Sequence, residues 1–237
     1  MPQIRLDKYI SDCTALSRKE LKQLIKSGRV EVDGVSALRP EQKIDTELST
    51  VMLDAKPLCR EEHVYYMLNK PAGLLSATDD GKQKTVIDLF PPELRKRGLF
   101  PVGRLDKDTT GLLLITDDGD FAHRLISPKS GIVKVYHARI DGMLCAEAAD
   151  AFRRGVVLAD GTRCLPAELE LLDDGSCKVS VMEGKYHQVK RMIAACGASV
   201  THLRRLSIGG LLLDEMLKEG EFRPLSKDEL CIVIMPK

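Results

Sequence analysis

The residues with the most chemical potential in this sequence lie together in GRLDKDTTGLLLITDDGD, Gly103 to Asp120, where five aspartates flank an uninterrupted apolar run. Acids at this density serve several chemistries, and their spacing discriminates among them. Asp106, Asp108 and Thr110 alternate, Gly111 stands sixth and Asp117 twelfth, which matches much of a calcium-binding helix–loop–helix. The flanks LFPVGR and LLLIT read as strand or coil rather than helix, and a twelfth Asp is too short for the usual bidentate Glu. No metal is expected here. A hydrolytic carboxylate pair needs acids on opposite sides of a substrate, and Asp106 and Asp108 are only two residues apart. Asp117, Asp118 and Asp120 read as turn and helix-cap material before FAHRL. There remains a single carboxylate, Asp106, flanked by Arg104 and Lys107 and leading into a stiff strand. Taken alone, the segment leaves these readings open.

Composition narrows the field. With 43% hydrophobic and 30% charged residues, a chain of 237 residues buries a core and is not disordered. A net charge of +1 provides no global basic field, so a nucleic-acid partner must be held by local patches. No apolar run approaches the roughly 20 residues of a membrane span, and MPQIRLDKYI lacks the apolar centre of a signal peptide. The seven cysteines (13, 59, 145, 164, 177, 196 and 231) contain no Cys-x-x-Cys pair, which suits reduced core thiols in a cytoplasmic protein and excludes zinc.

The elements that must position these groups fall into two units, 1–58 and 63–237, joined by a linker at 59–62. The polar stretch 54–62, with Pro57, reads as the connection. In the first unit LDKYIS suits a short helix, and SRKELKQLIKSG a second, with Ser17 and Glu20 in capping-box spacing and Gly28 as its stop. Leu21, Leu24 and Ile25 form its apolar stripe, while Arg18, Lys19, Lys22, Lys26 and the following Arg29 make a local positive surface suited to structured RNA. RVEVDG alternates into an Asp-Gly turn, and STVMLD is another strand. In the second unit VYYMLNKP, GLLLIT, VKVYHARI, PAELELL, CKVSVM and SVTHLRRLSIGGLLL read as strands. TVIDLF, GDFAHRLIS, CAEAADAFRRG and YHQVKRMIAACG read as helices. The result is an α+β protein with a mixed, mainly antiparallel sheet flanked by helices.

GRLDKDTTGLLLITDDGDFAHRL resembles the central motif of the RsuA-type ribosomal RNA pseudouridine synthases. MLNKPAGLLSAT, KVYHARI and EGKYHQVKRMIAACGASVTHLRRLSIGGLLL are similar to their other motifs, in the same order. RLDKYIS through SRKELKQLIKSGRVEVDG resembles the S4 RNA-binding domain that this family carries at its N-terminus. The resemblance implies a cofactor-free isomerisation of uridine to pseudouridine in ribosomal RNA by a monomeric enzyme. It also implies Asp106 as the essential carboxylate, Lys190 as its ion-pair partner and Tyr136 stacked on the flipped uracil, where it helps with the proton leaving C5. Leu203 is implied as an apolar pocket wall, Arg104 as a contact to phosphate or to the flipping nucleotide, and Lys70, Lys185, His187 and Arg191 as phosphate contacts. Tyr186-His187 is closer to the small-subunit 16S enzymes, with a uridine-516-type target, than to large-subunit enzymes, where Asn-Arg is usual. The implied partner is ribosomal RNA, either free or on an assembling small subunit. The alternatives are a large-subunit synthase or a non-catalytic assembly factor.

Overall fold

The computed structural model describes residues 3–14, 16–46, 48–58 and 63–234, and divides the chain into Met1–Glu62 and His63–Lys237. The linker expected at 59–62 lies outside the described residues. No helix among the described residues is long and apolar enough to cross a membrane.

In the first unit, β1 (Gln3–Arg5) leads into α1 (Leu6–Cys13) and α2 (Arg18–Lys26). The Ser17 and Glu20 side chains cap α2 reciprocally, and Gly28 ends it at φ +71°. Leu6, Ile10, Leu21 and Ile25 are buried against Val30 and Val51, which orients both helices by their apolar stripes. The strands are β2 (Val30–Val32), β3 (Val35–Ser36), β4 (Lys43–Asp45), β5 (Val51–Leu53) and β6 (Lys56–Leu58). They form a sheet ordered β3-β2-β5-β6, and β1 pairs with β4. Asp33 and Gly34 both take positive φ, as a two-residue hairpin turn requires. Residues 54–58 correct the linker reading. Asp54 and Ala55 turn at φ 51° and 61°, and Lys56–Leu58 pairs back onto Val51–Leu53. Pro57 is tolerated because β6 is an edge strand.

The second unit contains β7 (Tyr65–Lys70), α3 (Pro92–Arg95), β8 (Phe100–Pro101), β9 (Thr110–Thr116), α4 (Gly119–Ile126), β10 (Lys134–Asp141) and α5 (Ala148–Arg154). It continues with β11 (Glu168–Leu171), β12 (Cys177–Val181), α6 (Gln188–Ala195), β13 (Ser199–Ile208), β14 (Leu211–Leu212), β15 (Phe222–Pro224) and α7 (Lys227–Ile234). TVIDLF forms only a 3₁₀ turn, Val86–Leu89. The sheet runs β11-β12-β10-β13-β9-β7-β15, and its only parallel pairing among the described strands is β13 with β9. The run expected to continue as one strand to Leu213 instead reverses at Gly209, φ 56°, so that Leu211 pairs with Ile208. The strand β15 and helix α7, which carry little periodicity, were not anticipated.

Segment LLLIT is apolar throughout because β9 is covered on both faces. Leu112 and Leu114 pack with Met67, Phe121 and Val233, while Leu113 and Ile115 pack with Leu68, Phe90 and Leu105. Strand β9 also occupies the stretch that a calcium loop would need, and Phe100–Pro101 before it is strand where such a loop needs a helix. Asp118 caps α4 through Phe121 N, as its position suggests, but Asp117 instead accepts from Val64 N and pairs with Arg97.

Three contacts hold the loop and the start of β9. Gly111 has φ +98°, and a Cβ there would sit 2.3 Å from Arg205 O and 2.8 Å from Arg205 N. Only glycine allows β9 and β13 this close. The second contact is Lys70, fully enclosed at the end of β7. Its Nζ donates to Pro71 O (2.9 Å), Lys107 O (3.2 Å) and Thr109 O (3.0 Å). Burial pushes this ammonium down to about 8, against the upward pull of Asp108 and Asp106. Ser76 Oγ adds reciprocal bonds to Leu105 O and N.

Gly111→Ala is expected to destabilise the second unit by at least about 3 kcal/mol in urea unfolding, through left-handed backbone strain and overlap. Gly119→Ala, in open space at the start of α4, should stay within about 1 kcal/mol. Lys70→Met removes one donor each from Pro71 O, Lys107 O and Thr109 O, of which Lys107 O keeps Gly73 N, and should cost about 1–3 kcal/mol. It should also speed amide exchange across 103–109; unchanged exchange would exclude the clamp.

Candidate active site

The loop fixed by Lys70 and Ser76 presents its side chains to a small open pocket of about 60 Å³. Arg104, Asp106 and Thr109 come from the loop, Tyr136 from β10, and Leu203 from β13. Val181 ends β12, Glu183 and Lys185 follow it, and His187, Gln188 and Val189 open α6. Residues far apart in sequence meet because β10 and β13 pair directly, while β13 in turn lies beside β9.

Asp106 is about a quarter exposed, with Oδ2 3.3 Å from Lys190 Nζ and Oδ1 3.6 Å from His187 Nε2. Lys190 is shared, since its Nζ lies 2.6 Å from Asp108 Oδ1. That hydrogen bond draws the Asp108 carboxyl below its ordinary value, against partial desolvation. Asp108 therefore divides the ammonium with Asp106. His187 adopts a left-handed backbone at φ 48° and stacks on Tyr186, with ring centroids 3.8 Å apart. Its conformation is braced by Gln188, which accepts from Lys185 N and donates to Glu183. The first turn of α6, whose backbone N–H groups carry partial positive charge, lines the same pocket as Asp106.

Several residues expected to contact phosphate are placed otherwise. Lys70 is buried in the loop clamp and reaches no surface. Lys185 forms a close ion pair with buried Glu183, which needs that cation to offset its desolvation. Arg191 binds Asp160 Oδ2 at 2.5 Å and does not line the pocket. Two backbone and side-chain bonds from Thr162, together with Arg191, hold the Asp160 carboxyl down to about 2. Arg104 is exposed at the pocket, and Leu203 is a buried part of its wall. In the first unit Lys19, Lys22 and Lys26 are exposed, whereas Arg29 makes a bidentate pair with Asp54 at 2.6 and 2.5 Å. The Arg18 side chain lies outside the described residues. Thr109, Glu183, Gln188 and Arg205 escaped the sequence reading. Thr109 lines the pocket with its buried Oγ1 lacking any partner among the described residues. Its position two residues before Gly111 was the available signal.

A family model described as RNA pseudouridylate synthase matches residues 64–195, and an S4 domain model matches residues 4–48. An uncharacterized RNA pseudouridine synthase, YtzG, of Bacillus subtilis is 41% identical over 99% of this chain and all of its own length. The ribosomal small subunit pseudouridine synthase A of Vibrio cholerae is 40% identical over 97% of this chain and 99% of its own. A crystal structure of a pseudouridylate synthase superposes with a TM-score of 0.69 at 38% identity, covering 97% of this chain and 99% of the other. Matched across nearly its whole length, with the S4 unit preceding the synthase unit, the chain belongs to the RNA pseudouridylate synthase family, in its RsuA-type branch.

Proposed function

We propose that this enzyme converts one uridine of small-subunit ribosomal RNA to pseudouridine, with Asp106 as the essential carboxylate and no cofactor. The observation that carries the reading is the placing of the Asp106 carboxylate, with Lys190 at 3.3 Å, in one pocket with Tyr136 and Leu203. The reaction breaks the N1–C1′ bond, forms C5–C1′, moves a proton from C5 to N1, and consumes nothing. Attack by the carboxylate on ribose C1′, attack on uracil C6, and proton removal toward a glycal all use a carboxylate, and Lys190 at 3.3 Å offers it a counter-ion. Tyr136 stacks on the flipped base and takes part in removing the C5 proton. Leu203 packs on the base, and Arg104 meets the RNA backbone at the entrance.

Relatives named as small-subunit enzymes, at 40% identity over nearly the whole chain, support the small subunit as target. Tyr186-His187, where resembling large-subunit enzymes usually have Asn-Arg, supports the same choice. A uridine-516-type site is the first position to map. The exposed lysines of α2 serve to dock the RNA, through phosphate contacts.

In a strain lacking the gene, pseudouridine should disappear from one position of 16S rRNA, and Asp106→Asn should slow its formation roughly a thousandfold or more. Full restoration by Asp106→Asn would refute the catalytic assignment, and loss from 23S rRNA instead would move the target. Replacing Lys19, Lys22 and Lys26 together by Gln should weaken RNA binding and flatten its log–log salt dependence by about two units. An unchanged slope would remove α2 from the interface.

A further inference from the structure

Arg205 lies in the middle of β13 and is only 4% exposed. Its Nε donates to Leu112 O at 2.7 Å, and its Nη1 reaches the Tyr136 hydroxyl at 3.4 Å. The guanidinium carbon is 5.9 Å from the centre of the Tyr136 ring. Its buried Nη2 has no hydrogen-bond partner among the described residues, and no described carboxylate lies within ion-pair distance of it. A guanidinium keeps its charge at any working pH, and enclosing one without a counter-ion is costly. The surroundings add positive charge rather than remove it: burial first, then Arg205, pushes the Lys134 ammonium down to about 8.

Sheet register explains how the fold sustains this. Tyr136, Arg205 and Gly111 form one row across β10, β13 and β9. The missing side chain at Gly111 lets the Arg205 backbone close up, so that Nε reaches the carbonyl of the next residue on β9. The cation is thus held behind Tyr136, whose ring lines the pocket while Arg205 does not. Arg104, Asp106, Glu183, Lys185 and His187 also line that pocket, yet among the described residues only Arg205 hydrogen-bonds the phenol.

We propose that Arg205 is a positioning residue for Tyr136: it fixes the phenol against the target base and stabilises the tyrosinate that accepts the C5 proton. The inference rests on the synthase reading of the pocket and extends it. Once the C5–C1′ bond has formed, C5 bears both ribose and hydrogen. Tyrosinate Oη takes that proton, the C5–H pair becomes the C5=C6 bond, and the displaced N1=C6 pair takes up a proton at N1. The phenol then returns its proton to water. Tyrosinate facing a buried guanidinium makes a charge-assisted hydrogen bond, and Nη2 supplies a second donor.

The test is a double-mutant cycle on the full-length enzyme with 16S rRNA, reading kcat and KM separately. Arg205→Lys should lower kcat about 10- to 100-fold with KM within about twofold, Tyr136→Phe should do likewise, and the double variant should be no worse than the slower single. Multiplying losses, or a loss confined to KM, would overturn the proposal. An active Tyr136→Phe enzyme would instead refute the role of Tyr136 in the underlying reading. If Arg205→Lys does not fold, the guanidinium ¹⁵N–¹H resonances of Arg205 decide the matter: they should shift in Tyr136→Phe, and unchanged resonances would overturn the contact.

Discussion

The site depends on one close approach of backbone to backbone, where Gly111 on β9 meets Arg205 on β13. A methyl group at residue 111 would overlap the Arg205 carbonyl oxygen at 2.3 Å. This parallel junction joins an antiparallel half, ordered β11-β12-β10-β13 and with its own core, to a β7–β9 half enclosed on both faces. The loop bearing Asp106 enters β9 just before the junction, so the closeness of the strands brings that carboxylate into one pocket with Tyr136 and Leu203.

Three cations with restricted access divide the electrostatic work. Lys70 spends its three donors on backbone carbonyls and keeps the loop in shape. Lys190 is partly open and shared by two carboxylates, one at 2.6 Å and the other at 3.3 Å, so Asp108 moderates the cation that faces Asp106. Arg205 is enclosed and turned toward a phenol rather than an acid. Their differing partners separate a structural ammonium, a counter-ion and a positioning group, although all three are simply basic residues in the sequence. The five aspartates separate in the same way. Asp106 and Asp108 meet Lys190, Asp117 meets Arg97, Asp118 caps α4, and Asp120 sits in that helix's first turn.

What was legible beforehand was what is local or periodic. Ser17 and Glu20 announce a capping box, Asp33-Gly34 a tight hairpin, and the alternation of CKVSVM a half-buried strand. Hidden were features whose cause lies elsewhere in the chain. Lys56–Leu58 looks like a linker because a three-residue edge strand with Lys and Pro has no alternation to detect. The reversal at Gly209 is invisible within a continuous apolar run. Lys70, Lys185 and Arg191 resembled free cations because their partners are carbonyls and carboxylates brought to them by folding.

The sequence by itself determined the α+β class, the two units and the family resemblance, and it singled out Asp106 as the candidate, because apolar periodicity, capping pairs and motif order are written along the chain. Only the tertiary structure decided that Lys190 serves two aspartates, that Lys70 is a clamp rather than a phosphate contact, and that Arg205 stands behind Tyr136. A charge's role follows from its distance to partners and from the water it has lost, and both are properties of three-dimensional packing that sequence spacing does not carry.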